Sequence, residues 1–166
     1  METKNNIHTI SLFVANKPGV LIRCAQVFAR RGFNIDSLVV SPAVNPKFSR
    51  MTITAQGDPD TLEQIIKQSA KLIDVVHAEE HSEEETITRE FALLKVKHTP
   101  SALTKIKKML PIYNARIADQ SDKVVVIEQA GTSGELDSFE KEMKPFGIIE
   151  MVRSGKLVMA KGVEET

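Results

Sequence analysis

The chain has 166 residues, 42% hydrophobic and 27% charged, with 22 Lys plus Arg balanced by 22 Asp plus Glu. That length accommodates one domain or two small ones, and zero formal charge removes the general electrostatic attraction that nucleic acid or an anionic membrane calls for. The single cysteine, Cys24, excludes a disulfide framework and suits a reducing cytosol; no apolar run approaches the ~20 residues of a membrane span, and Met1–Asn6 lead into no signal-peptide core, so a cytoplasmic location is expected.

His8–Val14 alternates, with Ile10, Leu12 and Val14 on one side, and predicts a strand. Pro18 follows, a residue suited to a helix's first turn because no N–H is needed there. Val20, Leu21, Cys24, Val27 and Phe28 then share one helical face, and Gly32 supplies the stop. Ile35–Val40 is β-branched and ends at Pro42; Arg50–Ala55 alternates again. Asp58-Pro59 is an N-cap and N1 pair, followed by the stripe Leu62, Ile65, Ile66 and Ala70. Asp74–Ala78 closes a βαββαβ order, the ferredoxin-like split βαβ unit.

Glu79-Glu80-His81-Ser82-Glu83-Glu84-Glu85 is acidic and apolar-free, and is expected to be a solvated linker. It separates a first domain, residues 1–80, from a second, residues 86–166. No second set of ligands at fixed spacing stands near its carboxylates and His81, so no metal site is assigned. The second half repeats the order more loosely: a strand over Phe91–Lys97, a helix from Thr99-Pro100, a hairpin of Ala115–Ala118 and Val124–Ala130, a helix through Leu136, Phe139 and Met143, then short strands at Ile148–Val152 and Leu157–Ala160. The fold class is therefore α+β, two ferredoxin-like units.

The turn Asn16-Lys17-Pro18-Gly19-Val20-Leu21 joins a strand to a helix N-terminus, where unpaired N–H groups and the helix dipole favour a carboxylate. Gly19 permits close approach of a ligand, and the amides of Asn16 and Asn34 offer both donor and acceptor to a zwitterion. Val14, Val20, Leu21 and Ile35 are the aliphatic candidates for a pocket wall. The same residues also fit plain structural duty, with Asn16 as a cap and Asn34 in a turn. Gly131-Thr132-Ser133-Gly134 lacks the Lys of a phosphate-binding loop and reads as a tight turn capped by Thr132 or Ser133, with anion binding the second reading.

No nucleophile and base come together. The four histidines, His8, His77, His81 and His98, are scattered, and there is no metal-ligand spacing and no dinucleotide fingerprint. An RNA-recognition sheet would need aromatics, yet the chain has one Tyr and no Trp. The turns at Asn16 and Asn34 suggest instead a small amino-acid-binding site on a regulatory domain.

Several segments together carry a family resemblance along about Ile7 to Gly162: Asn16-Lys17-Pro18-Gly19-Val20-Leu21, Arg31-Gly32-Phe33-Asn34-Ile35-Asp36-Ser37-Leu38, Ser49-Arg50-Met51-Thr52-Ile53, Lys71-Leu72-Ile73-Asp74-Val75, Gln129 to Phe139 and Arg153-Ser154-Gly155. The chain resembles the small regulatory subunit of acetohydroxyacid synthase (acetolactate synthase). The resemblance implies an N-terminal ACT domain that forms a homodimer and binds valine or a related branched-chain amino acid at the interface. It implies a ligand set of Asn16, Pro18, Gly19, Val20 and Leu21 from one protomer and Asn34 with Ile35 from the other; Pro18 stands where other members have Ser. It further implies a catalytic large-subunit partner holding thiamine diphosphate, Mg and FAD, with no cofactor in this chain. A free-standing tandem ACT-like sensor acting on another partner is the alternative.

Overall fold

β1 (Ile7–Ala15) is paired along both edges, with Leu12 opposite Met51 on one side and Ala78 on the other. The computed structural model describes residues 7–163, 165 and 166; Met1–Asn6, the stretch read above as carrying no leader, lie outside the described residues. After β1 come α1 (Val20–Arg30), β2 (Ile35–Pro42), β3 (Phe48–Gln56), α2 (Pro59–Ser69) and β4 (Val75–His81). The sheet runs β2-β3-β1-β4, and each neighbouring pair is antiparallel. Ile10, Leu12, Met51 and Ile53 on its inner face meet Cys24 and Phe28 of α1 and Leu62 and Ile65 of α2, all buried. Each such aliphatic or aromatic side chain contributes roughly 1.5–3 kcal/mol when fully buried. Cys24 is part of this core, and burial pushes its thiol pKa up.

The helix ends follow from their residues. Asp58 caps α2 by accepting the Thr61 N–H at 2.8 Å, which holds its carboxyl below the ordinary range. The end of α1 is a Schellman turn: the Gly32 N–H reaches the Ala29 carbonyl at 3.0 Å and the Phe33 N–H reaches that of Phe28 at 3.1 Å. This sets the Phe33 ring directly over Gly57, 2.1 Å from where a Cβ there would stand.

The acidic run differs from the expected linker. Glu79, Glu80 and His81 belong to β4 and pair with Ser11, Ile10 and Thr9, leaving only 82–85 as a turn. β1 supplies the partners that make this affordable: His8 Nδ1 meets Glu80 Oε1 at 2.6 Å, and Ser11 Oγ meets His81 Nε2 at 2.5 Å. Burial lowers the His81 pKa, against the opposing pull of Glu79.

The second sheet is built by β5 (Thr86–Lys97), β6 (Ala115–Gln120), β7 (Val124–Gly131), β8 (Ile148–Arg153) and β9 (Leu157–Ala160), in the order β6-β7-β5-β8 with β9 also paired to β5. α3 (Pro100–Met109) and α4 (Ser133–Met143) complete it. Leu94, Val96, Ile106, Ile127, Leu136 and Phe139 form its core. Thr99 caps α3, and Thr132 caps α4 in a capping box with Glu135. Glu90, 6% exposed, is held by Ser133 Oγ at 2.7 Å and Arg153 Nε at 2.9 Å; Arg153 also pairs with Asp137.

The architecture is α+β, with four α-helices and two sheets of ferredoxin-like order among the described residues. The division falls at Thr88/Arg89, and the first unit also takes Lys156–Thr166, which had been expected to belong to the second domain. The Lys161 N–H donates to the Glu85 carbonyl at 2.9 Å, and Arg50 pairs with Glu165 at 3.2 Å, contacts too far apart in sequence to be read locally.

Two outcomes follow from these buried polar groups. In the unfolded chain His81 takes up a proton near its ordinary value of 6.5, whereas the folded state resists it, so stability is full above that pH and falls below it. Urea midpoints compared at about pH 7.5 and about pH 5.5 should show that loss, and His81→Gln should reduce it. Glu90→Ala leaves Arg153 with only the exposed Asp137 as a partner and should cost the fold about 2–3 kcal/mol, read as a lower denaturation midpoint.

Candidate functional site

The loop from Asn16 to Gly19 sits at the end of β1 and is fastened on both sides. The Ala15 N–H donates to the Asp74 carbonyl at 2.8 Å, and the Asn16 N–H to the Lys47 carbonyl at 2.8 Å. Asn16 Nδ2 donates to the Pro46 carbonyl at 3.0 Å, so the side chain is tied to the β2–β3 hairpin and does not cap α1. Among the described residues nothing donates to Asn16 Oδ1, which leaves it as an acceptor for an ammonium group.

Gly19 is the N-cap of α1, with φ 83° in the left-handed region and no side-chain cap. Pro18 therefore stands one residue before the cap, outside the first turn expected for it. An uncapped helix start leaves first-turn N–H groups open to an anion. Lys17 Nζ lies 3.6 Å from Asp74 Oδ1, and Arg23 pairs with the other carboxylate oxygen. Asp74 is sheltered, with 12% of its side chain exposed, while Lys17 is largely in water and Arg23 partly so. Their positive charge flanks the loop without filling the helix end.

The aliphatic candidates divide. Val14 and Val20 are buried in the core, so they support the loop from beneath and Val20 has only its backbone to offer at the loop. Leu21 is 42% exposed, and Ile35 is half-buried against the core edge. Asn34 is exposed, its Nδ2 3.3 Å from Asp36 Oδ1. It lies past the opposite end of α1, and eleven residues of helix span about 16 Å. One chain thus assembles Asn16, Pro18, Gly19 and Leu21 at one end and Asn34 with Ile35 at the other.

Lys17, Arg23, Pro46, Lys47 and Asp74 position the loop and were not singled out from sequence. The available signal was the Lys71–Val75 segment, noted for resemblance but given no role.

The second unit has a different turn at Gly131–Gly134, beside an open cavity of about 740 Å³ lined by Arg89, Asn114, Thr132 and Glu135 among others. Here the chain's own carboxylate occupies the helix start: Glu135 Oε2 accepts the Thr132 N–H at 2.7 Å and its hydroxyl at 3.0 Å. Those bonds hold the Glu135 carboxyl below its ordinary value. Thr132 is the cap, as the tight-turn reading has it. Among the described residues no group of three or more His, Cys, Asp or Glu is arranged to hold a metal, and no helix is long and apolar enough to cross a membrane.

The first unit, with its glycine-started helix between parallel-running β1 and β2, is of the ACT class. A family model described as an AHAS small subunit-like ACT domain matches residues 10–77, and one described as the small subunit of acetolactate synthase matches residues 89–162. A protein named the probable acetolactate synthase small subunit of Archaeoglobus fulgidus is 41% identical over 155 residues, 93% of this chain and 97% of that one. The acetolactate synthase small subunit of Mycobacterium bovis is 38% identical over 155 residues, 93% of this chain and 92% of that one. The crystal structure of the acetolactate synthase small subunit from Thermotoga maritima superposes with a TM-score of 0.85 at 34% identity, covering 95% of this chain and 98% of that one. The chain belongs to the family of acetolactate synthase small subunits, the regulatory rather than the catalytic subunit of that enzyme of branched-chain amino acid synthesis.

The glycine at the cap can be tested directly. A Cβ on Gly19 would stand 3.2 Å from an Arg23 guanidinium nitrogen, in a backbone conformation that L residues disfavour. Gly19→Ala should cost about 1–2 kcal/mol in urea unfolding, through left-handed strain.

Proposed function

We propose that this chain binds valine, or a related branched-chain amino acid, between two copies of its first unit. In this reading it also activates the acetolactate synthase large subunit and transmits feedback inhibition to it. The observation that carries the reading is the open start of α1 at Gly19, with Asn34 a full helix length away. β2 is an edge strand bearing Leu38, Val39 and Val40, whereas the other edge, β4, carries Glu79 and Glu80. Charged edges resist pairing and apolar ones invite it. Leu21 and Ile22 of α1 and Val40 of β2 are exposed apolar groups that such pairing would cover.

Polarity does the rest. β1 and β2 run the same way, so Asn16 and Gly19 stand at the end toward which β2 points, and Asn34 at its start. A two-fold axis beside β2 sets two such strands antiparallel. Asn34 and Ile35 of one copy then come beside Asn16, Pro18, Gly19, Val20 and Leu21 of the other, giving two equivalent composite sites. The α-carboxylate takes the helix start, the ammonium takes Asn16 Oδ1 and the Asn34 amide, and the aliphatic side chain lies on Leu21 and Ile35. Because the site spans two copies, ligand binding favours one dimer arrangement, and coupling of about 1–3 kcal/mol to the partner's activity is typical. Thiamine diphosphate, Mg and FAD belong, in this proposal, to the large subunit.

Acetolactate formation by the large subunit, measured with and without this chain and with added valine, tests the reading. Asn34→Ala should raise the valine concentration for half inhibition at least tenfold while activation persists. Loss of activation with unchanged valine binding would overturn the site, and no activation by the wild-type chain would favour the free-standing sensor.

A further inference from the structure

The glycine that follows β3 belongs neither to the core nor to the proposed ligand set, yet the structure leaves no room for a side chain on it. Gly57 lies outside the left-handed region, so its backbone would accept other residues. What forbids them is the Phe33 ring: a Cβ on Gly57 would stand 2.1 Å from both Cε1 and Cζ of that ring. Phe33 is fixed from its own side by the turn that ends α1. There Gly32 takes φ 70°, the Phe33 N–H donates to the Phe28 carbonyl at 3.1 Å, and the side chain packs against the core. Gly57 is fixed from the other side. Its carbonyl accepts a hydrogen bond from His8 Nε2 at 3.2 Å, and His8 Nδ1 lies 2.6 Å from Glu80 Oε1.

The pairing of β2 with β3 explains where the ring falls. Ile35 stands opposite Ala55, and the same antiparallel register carried two residues further sets Phe33 opposite Gly57. A ring laid over a glycine across the sheet edge is one means of pinning register. Side chains alternate along such a stretch: Phe33 and Ile35 pack against the core edge, and Asn34 between them is exposed. Little else holds Asn34. Among the described residues its side chain reaches only Asp36 Oδ1, 3.3 Å away. Just beyond, the ladder is irregular, with a register shift between Ile35 and Ser37. The ring seated on Gly57 is the anchor on the α1 side of Asn34.

We infer that Gly57 is a positioning residue for the proposed amino-acid site: by leaving room for the Phe33 ring, it sets where Asn34 and Ile35 are presented to the ligand. This rests on the reading given under the proposed function. Gly57 is not one of the ligand residues, and it acts through Phe33. A methyl group added at Gly57 displaces the ring, because the Gly57 carbonyl is tied to His8, and a displaced Phe33 shifts the adjoining Asn34.

The test compares the full chain as wild type, Gly57→Ala, Phe33→Leu and the double variant. Valine affinity is read by calorimetry, and acetolactate formation by the large subunit is titrated with the chain and then with valine. Gly57→Ala and Phe33→Leu should each weaken valine binding and raise the half-inhibiting valine concentration about tenfold, and the double variant no further, because both act through one contact. The concentration of chain for half-maximal activation should stay as in wild type, a split that a general loss of stability would not produce. Should Gly57→Ala fail to fold, as judged by its urea midpoint, Phe33→Leu carries the test. Wild-type valine affinity in the folded single variants, multiplied effects in the double variant, or activation lost in step with valine binding each overturn the inference alone. A wild-type chain that binds no valine overturns the proposed site and the inference with it.

Discussion

Asp74 is a sheltered carboxylate shared by Lys17 and Arg23, and its backbone carbonyl receives the N–H of Ala15. Residues far apart in sequence meet there: the end of β1, the first turn of α1 and the turn into β4. Neither ion pair is worth much by itself, because water reaches both Lys17 and Arg23. Their value is geometric. Together with the Asn16 bonds to Pro46 and Lys47, they fix the loop, so that in the proposed site less conformational freedom is left to lose on binding. The open end of α1 is thereby preorganised, and the core residues Val14 and Val20 brace it from below.

The second constraint is the length of α1. Eleven helical residues hold Asn34 away from Gly19, and no movement of a side chain closes that gap. The separation becomes useful once two copies are placed side by side in opposite senses, since the far end of one helix then faces the near end of the other. In the proposed dimer, occupancy of the site and association of the copies are linked by mass action. The second unit is organised by a different device, the buried Glu90 clasped by Arg153 and Ser133, which ties β5 to β8 and to the start of α4.

Periodicity and capping chemistry made most of the fold legible. The alternation of His8–Val14, the Asp58-Pro59 and Thr99-Pro100 starts and the hairpin at 119–122 all rest on local rules, and the structure places elements there. What escaped depends on distant partners. Glu80 and His81 read as solvated because their partners, His8 and Ser11, stand on a strand more than sixty residues earlier. Pro18 looked like a first-turn residue, yet Gly19 takes the cap because a left-handed residue is needed to swing the chain from β1 into α1. Val14 and Val20 were read as pocket lining; apolar residues at a strand end and a helix start fit core or pocket equally until packing decides. Asp74 gave no local sign of its role, since a carboxylate before a strand is ordinarily a turn residue.

The tail 156–166 returns to the first unit after the chain has passed through residues 89–155. During synthesis the turn at Glu85 therefore waits for Lys161, and β5 for its β9 partner, until residues 89–155 have been made. Domains generally acquire structure in the order they leave the ribosome, but here the N-terminal unit waits on a stretch made after residues 89–155. Its nascent form exposes the flank that this tail later contacts, and the interval before closure lasts as long as translation of the whole second unit.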